Sequence, residues 1–196
     1  MNPMLFCHQP CVAKCYVLSQ LVRRSNSDMS FLFASRMRAM DWIFGNAVWV
    51  RRALNAWPPF WGAGIKIETL SKDFRFCRVI LKSRWWNKNA NGAQFGGSLF
   101  AMTDPIYPLM LMGYFENRHY VWDKAGSIDY VKPGKGELMA EFKLTDSTLA
   151  SIEAATRGGN KHFPEFDVAV KDSGGELVAQ VKRTLYVRAK REHRSG

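Results

Sequence analysis

The chain has 196 residues and 22.4 kDa, enough for one domain with an added arm. Apolar residues make up 47% and charged residues 23%, which excludes wholesale disorder. The net charge of +11 sits mainly at the ends, with an excess of five in residues 1–60 and three in the last nine. A nucleic-acid module concentrates its charge on a folded face, so solvated basic termini are expected and a nucleic-acid partner is not.

In chain order, Cys7, Cys11 and Cys15 with His8 form a C-x3-C-x3-C run. Zinc sites use tighter pairs with a second ligand pair, so no metal is expected. Cys15–Val22 is too short and too polar for a secretory signal, and isolated thiols fit a reducing cytoplasm. Residues 1–30 carry no usable period and are expected to be a disordered arm or an over-long start. Over 31–57, Met37, Met40, Trp42, Ile43, Phe44, Ala47, Val48 and Val50 lead into Arg51-Arg52 as an amphipathic helix, stopped by Pro58-Pro59. Such a basic helix can lie on a membrane surface. Packing of its Trp-rich face on the main domain, 58–190, is the preferred reading. Residues 191–196 form a basic tail.

Gly64–Leu70 and Phe74–Leu81 alternate apolar and polar residues around Ser71-Lys72-Asp73, which predicts a hairpin. A long helix follows at 95–115. Strands are expected near 125–131, 137–144, 165–170 and 176–188, with a helix at 146–157 capped by Asp146 and a hairpin turn at Asp172–Gly175. Antiparallel strands with one long buried helix make an α+β sheet wrapped around that helix. About 20 apolar residues would span a bilayer, but Gly96-Gly97, Asp104, Pro105 and Pro108 interrupt this run, so no stable membrane insertion is expected.

Asp104 is the only carboxylate between Lys88 and Glu116. It could cap a helix restarted at Pro105, or serve as a catalytic carboxylate activated by desolvation. Gly96-Gly97 opens the helix, where unsatisfied N–H groups at the positive dipole end can meet a developing oxyanion.

The run Asn89-x-x-Gly92-x-x-Phe95-Gly96-Gly97, with Asp104 nine positions after Phe95, resembles the motif of hotdog-fold acyl-CoA thioesterases of the phenylacetate type. There an Asn, a Gly and His-Gly-Gly precede an Asp at the same interval. Phe95-Gly96-Gly97-Ser98-Leu99, Met102-Thr103-Asp104-Pro105 and Val121-Trp122-Asp123-Lys124 are similar to a bacterial branch described as tetrameric thioesterase-like. The resemblance implies a hotdog domain and an acyl thioester substrate, with coenzyme A as part of the substrate and no other cofactor. It implies Asp104 as general base or nucleophile, Gly96 as the N–H that polarises the carbonyl, and Asn89 as a holder of substrate or water. Gly97, Phe95 and Ser98 would line the substrate. Phe95 stands where the family has His, so any role of that His is absent, and a non-catalytic acyl- or lipid-binding hotdog protein is the alternative.

Other chemistries fit less well. Gly96-Gly97-Ser98-Leu99-Phe100 lacks the last glycine of a nucleophile elbow, and His119 and His162 have no triad context. His162-Phe163-Pro164 follows both helices, whereas the similar tripeptide of hotdog dehydratases precedes the helix that bears the acid. Arg157 and Lys161, in a glycine-rich turn, could meet coenzyme A phosphates or belong to an ordinary helix end. Along a straight helix Gly96 and Asp104 would lie roughly 12 Å apart, so a homo-oligomer, dimer or tetramer, with sites shared between chains is expected.

Overall fold

A computed structural model describes residues 45–194. The cysteine run, the arm 1–30 and most of the amphipathic segment lie outside the described residues.

Helix α1, Ala47–Ala56, starts where Asn46 is extended and its side chain accepts a hydrogen bond from Val48 N at 2.9 Å. The expected helical stripe therefore does not run unbroken through residue 46. Its inward residues are Ala47, Val50 and Leu54, whereas Trp49 is 42% exposed. Within the described part of that segment small aliphatic residues at helical spacing make the closer fit to the domain, while Trp42 lies outside the described residues. Pro58-Pro59 opens a second helix, α2, Pro58–Ala63, because the first helical turn needs no N–H donor. Gly64 ends it at φ +80, and a side chain there would come within 2.9 Å of the Lys82 carbonyl. Only glycine meets both demands.

The hairpin is as expected. Strands β1, Ile65–Leu70, and β2, Phe76–Leu81, pair antiparallel with a bulge between Ile67 and Thr69. Ser71 Oγ accepts from the N–H groups of Arg75 and Phe76 in the turn.

The central helical run is in two pieces, α3, Gly96–Ala101, and α4, Ile106–Tyr114. Between them the N–H groups of Thr103 and Asp104 bond tightly back to Phe100 and Ala101. Pro105 has no N–H to donate and disfavours helical geometry at the residue before it. Asp104 does not cap α4, whose N-cap is Pro105 without a side-chain bond. The straight-helix spacing of Gly96 and Asp104 is thereby replaced by a turn that falls before Asp104.

Strand β3, His119–Tyr130, begins earlier than expected, because its inward His119 and Asp123 break the apolar alternation. Strand β4, Leu138–Lys143, leads to α5, Asp146–Thr156, whose N-cap is Thr145 rather than Asp146. Thr145 Oγ1 accepts from Thr148 N, and Asp146 instead pairs with Arg75 at 2.6 Å. Strands β5, Glu165–Asp172, and β6, Leu177–Ala189, join through a turn in which Asp172 Oδ1 accepts from Gly174 N and Glu176 N.

The six strands form one antiparallel sheet in the order β1-β2-β4-β5-β6-β3. This is the expected α+β hotdog architecture. Ile67, Val79, Leu81, Phe142, Val168, Val181 and Leu185 from the sheet meet Met102, Ile106, Met110 and Leu111 from the helical run in one core. Each such fully buried side chain contributes about 1.5–3 kcal/mol. Among the described residues, no helix is long and apolar enough to cross a membrane.

Candidate active site

The loop before α3 is built by asparagines. Asn87 is buried and donates to the carbonyls of Ala63 and Lys82, while its Oδ1 accepts from Arg84 N. Asn89 Oδ1 accepts from the N–H groups of Asn91 and Ala93, closing a small turn. The Asn89 carbonyl oxygen is thus committed to the loop, and its amide NH2 is the group left for a ligand. Phe95 N donates to Asn87 O, which sets the start of α3.

A cavity of about 470 Å³ opens here, lined by Asn89, Gln94, Phe95, Gly96, Gly97, by Tyr130 at the end of β3 and by Lys132 just beyond it. Tyr130 Oη donates to Gly96 O at 2.9 Å, and a side chain on Gly96 would come within 3.0 Å of that hydroxyl. The N–H groups of Ser98 and Leu99 bond to Phe95 O, whereas those of Gly96 and Gly97 have no backbone acceptor among the described residues. Gln94 is buried with its Oε1 unpartnered in the cavity wall. Lys132 is held by Asp172, at 2.8 Å, and by Glu176.

Of the expected site residues, Asn89, Phe95, Gly96 and Gly97 share this cavity. Ser98 is buried in the first turn of α3 and does not line it. Arg157 and Lys161 are exposed on the loop after α5, outside the cavity, where Gly159 O accepts from Arg188 Nε. Asp104 also stands apart, and its surroundings differ from the expected apolar pocket. Its side chain is 51% exposed and its Oδ1 lies 3.4 Å from Arg183 Nη1. Arg183, only 5% exposed, donates to Thr103 Oγ1 and Phe100 O and lies over the Phe100 ring at 4.1 Å. Asp123 Oδ1 lies 3.9 Å from the same guanidinium. Burial pushes the Asp123 carboxyl up to about 6, opposed by Arg183 and reinforced by its hydrogen bond to Asp104 and that group's charge. The desolvated carboxylate of the pair is therefore Asp123.

Sequence reasoning missed Arg183, Asp123, Gln94 and Tyr130. Arg183 had a visible signal: it falls on the inward phase of β6, between Val181 and Leu185. Gly126 belongs with it, since a side chain there would meet the Phe100 ring at 2.9 Å and Arg183 Nη1 at 3.2 Å. Tyr130 had no local signal, because its role depends on a helix many residues away. His119 Nε2 lies 3.0 Å from Thr156 Oγ1, whose hydroxyl donates to Ile152 O, and both side chains are buried away from the cavity lining.

Residues 45–187 match a family model described as a domain of unknown function, DUF4442. The chain belongs to that family. Among solved structures, a Pseudomonas aeruginosa protein of unknown function described as a probable thioesterase is 21% identical, covering 71% of this chain and 93% of its own, with a TM-score of 0.61. A Chlorobaculum tepidum protein with unknown function is 15% identical over 74% of this chain and 98% of its own, with a TM-score of 0.59. A Haemophilus influenzae thioesterase is 14% identical over 76% of this chain and 95% of its own, with a TM-score of 0.55. These likenesses are to the fold. No curated protein matches the chain.

Proposed function

We propose that this DUF4442 protein hydrolyses acyl thioesters such as acyl-CoA, at sites shared between two copies. One observation carries the reading: the glycine-lined cavity and the Asp104 cluster flank one strand edge that no other strand covers among the described residues. β3 closes the sheet on one side, and Lys124–Tyr130 is exposed except for half-buried Ile128. An open edge is a template for pairing. That exposed stretch is centred on Ser127. Isologous antiparallel pairing about Ser127 sets Gly126 opposite Ile128, which share the inward face, and Tyr130 opposite the bulge at Asp123–Lys124. The cavity of one copy, beside Tyr130, then adjoins the Asp104 and Asp123 pair of the other.

In this reaction the Asp104 carboxylate takes a proton from water as the water oxygen adds to the thioester carbonyl carbon. The Gly96 N–H receives the developing oxyanion. Collapse breaks the carbon–sulfur bond, and the thiol leaves with the proton held by Asp104. Asn89 orients the substrate through its amide NH2. Phe95 and Gly97 shape the acyl side of the cavity, buried Ser98 supports the first turn of α3 behind them, and Arg157 and Lys161 meet the coenzyme A phosphates. Phe95, 57% exposed at the mouth, favours the second reading, an acyl-binding protein without turnover. Thiol release over a panel of acyl-CoAs separates the two. The account expects release by the wild type and a loss of about 10²–10⁴-fold in Asp104→Asn. Acyl-CoA binding without release by the wild type would establish the second reading.

A further inference from the structure

A second surface cleft shares no lining residue with the cavity. Residues 45–67 and 82–95 contain no Asp or Glu but carry Arg51, Arg52, Lys66, Lys82, Arg84 and Lys88. Two of their tryptophans, Trp61 and Trp86, line a shallow cleft of about 240 Å³ together with Lys66, Lys82 and Arg84. Trp61 is 69% exposed and Trp86 46%. Trp85, 85% exposed, meets Trp86 edge-on with ring centroids 5.5 Å apart. The patch is rigidly founded: Trp86 Nε1 donates to Gly62 O at 3.0 Å, and the buried Asn87 ties the same loop to Ala63 and Lys82. Among the described residues Lys66, Lys82 and Arg84 have no ion-pair partner, and Glu68, two residues after Lys66 on β1, pairs with Arg78 instead. Several large exposed indoles around such cations mark an interaction surface.

We infer that the face carrying Trp61, Trp85 and Trp86 with Lys66, Lys82 and Arg84 docks peripherally on an anionic lipid surface. The indole has an apolar body and one N–H, which suits it to the headgroup level of a bilayer. The unopposed cations supply the attraction to anionic headgroups. Single-stranded nucleic acid is the poorer fit, because base stacking needs open ring faces in a row and Trp85 and Trp86 stand edge to face. Such docking would hold the protein where amphiphilic acyl compounds concentrate, yet it does not depend on the proposed hydrolysis.

The test uses the full chain with vesicles of phosphatidylcholine alone or mixed with phosphatidylglycerol. The proposal expects co-pelleting with the mixed vesicles only, weakened by salt, and quenching of tryptophan fluorescence by brominated acyl chains. Trp61→Ala/Trp85→Ala should bind roughly tenfold more weakly. Lys66→Glu/Arg84→Glu should lose roughly twentyfold or more, since each cation near the surface is worth about 1 kcal/mol. All four side chains are exposed or hold no core contact, and circular dichroism checks the fold of each variant. The proposal is overturned by absent binding to anionic vesicles or by unchanged binding in both variants. It is equally overturned if either variant lowers the oligomer mass, which would make the face a contact between copies, or if an oligonucleotide displaces the vesicles.

Discussion

The two edges of the sheet are treated in opposite ways. At β1 the edge is closed from within the chain. Asn55, on α1, donates from Nδ2 to Ile67 O at 3.0 Å and accepts from Ile67 N at 2.7 Å, so its amide takes the place of a neighbouring strand beside the bulge. Arg51 adds a bond to Glu68 O. At β3 nothing comparable covers Lys124–Tyr130 among the described residues, and the segment carries Gly126, Ser127 and Asp129 rather than a hydrophobic row. One edge is finished by a side chain that mimics a backbone. The other is left open beside both halves of the proposed site, where pairing with a second copy would complete it.

The cluster against the open edge is expected to show the larger effect. Asp123 titrates at about 6 against an ordinary 3.8. A carboxyl whose folded value is raised contributes stability that is fully present below about pH 4 and is lost as pH rises through about 6. Relative to Asp123→Asn, the wild type should therefore lose up to about 3 kcal/mol across that window. Melting temperatures of both proteins from acid to neutral pH check this, and parallel curves would refute the shift. At the closed edge, Asn55→Ala leaves the Ile67 N–H and carbonyl unpaired and should cost about 1–3 kcal/mol, read by denaturant unfolding. The smallest effect belongs to Ser127→Asp. It sets two carboxylates opposite each other at the proposed two-fold, weakening the dimer by about 0.2–1 kcal/mol. Sedimentation at low ionic strength should show it, with recovery as salt is added.

The strands and the two-glycine helix start were legible because periodicity and turn chemistry are local. Glu165 to Asp172 and Leu177 to Ala189 announce themselves by alternation, and Asp172-Ser173-Gly174-Gly175 by its turn residues. A restart at Pro105 is one reading of Asp104, but the sequence does not place the break before that residue, because the 3₁₀-like bonds of Thr103 N to Phe100 O and Asp104 N to Ala101 O have no signature in it. Pro58-Pro59 was read as an ending, although its missing donors suit a beginning equally well. The cavity was half legible: Asn89, Phe95, Gly96 and Gly97 sit in one stretch of chain. Gln94 depends on Gly136 and Tyr130 on Gly96, contacts that no local pattern encodes. Asp104 drew attention as a lone acid, but its partners Arg183 and Asp123 are contributed by β6 and β3.

The shared site is tested most directly by complementation. Asp104→Asn is co-expressed with Gly96→Pro, which removes the N–H; Phe95 already has the extended backbone that a following proline requires. Each variant alone should be inactive. In a mixed dimer one shared site carries both lesions and the other carries neither, so random mixing should restore about a quarter of wild-type thiol release. Release that stays at background while mixed dimers are shown to form would contradict a site built across the β3 edges.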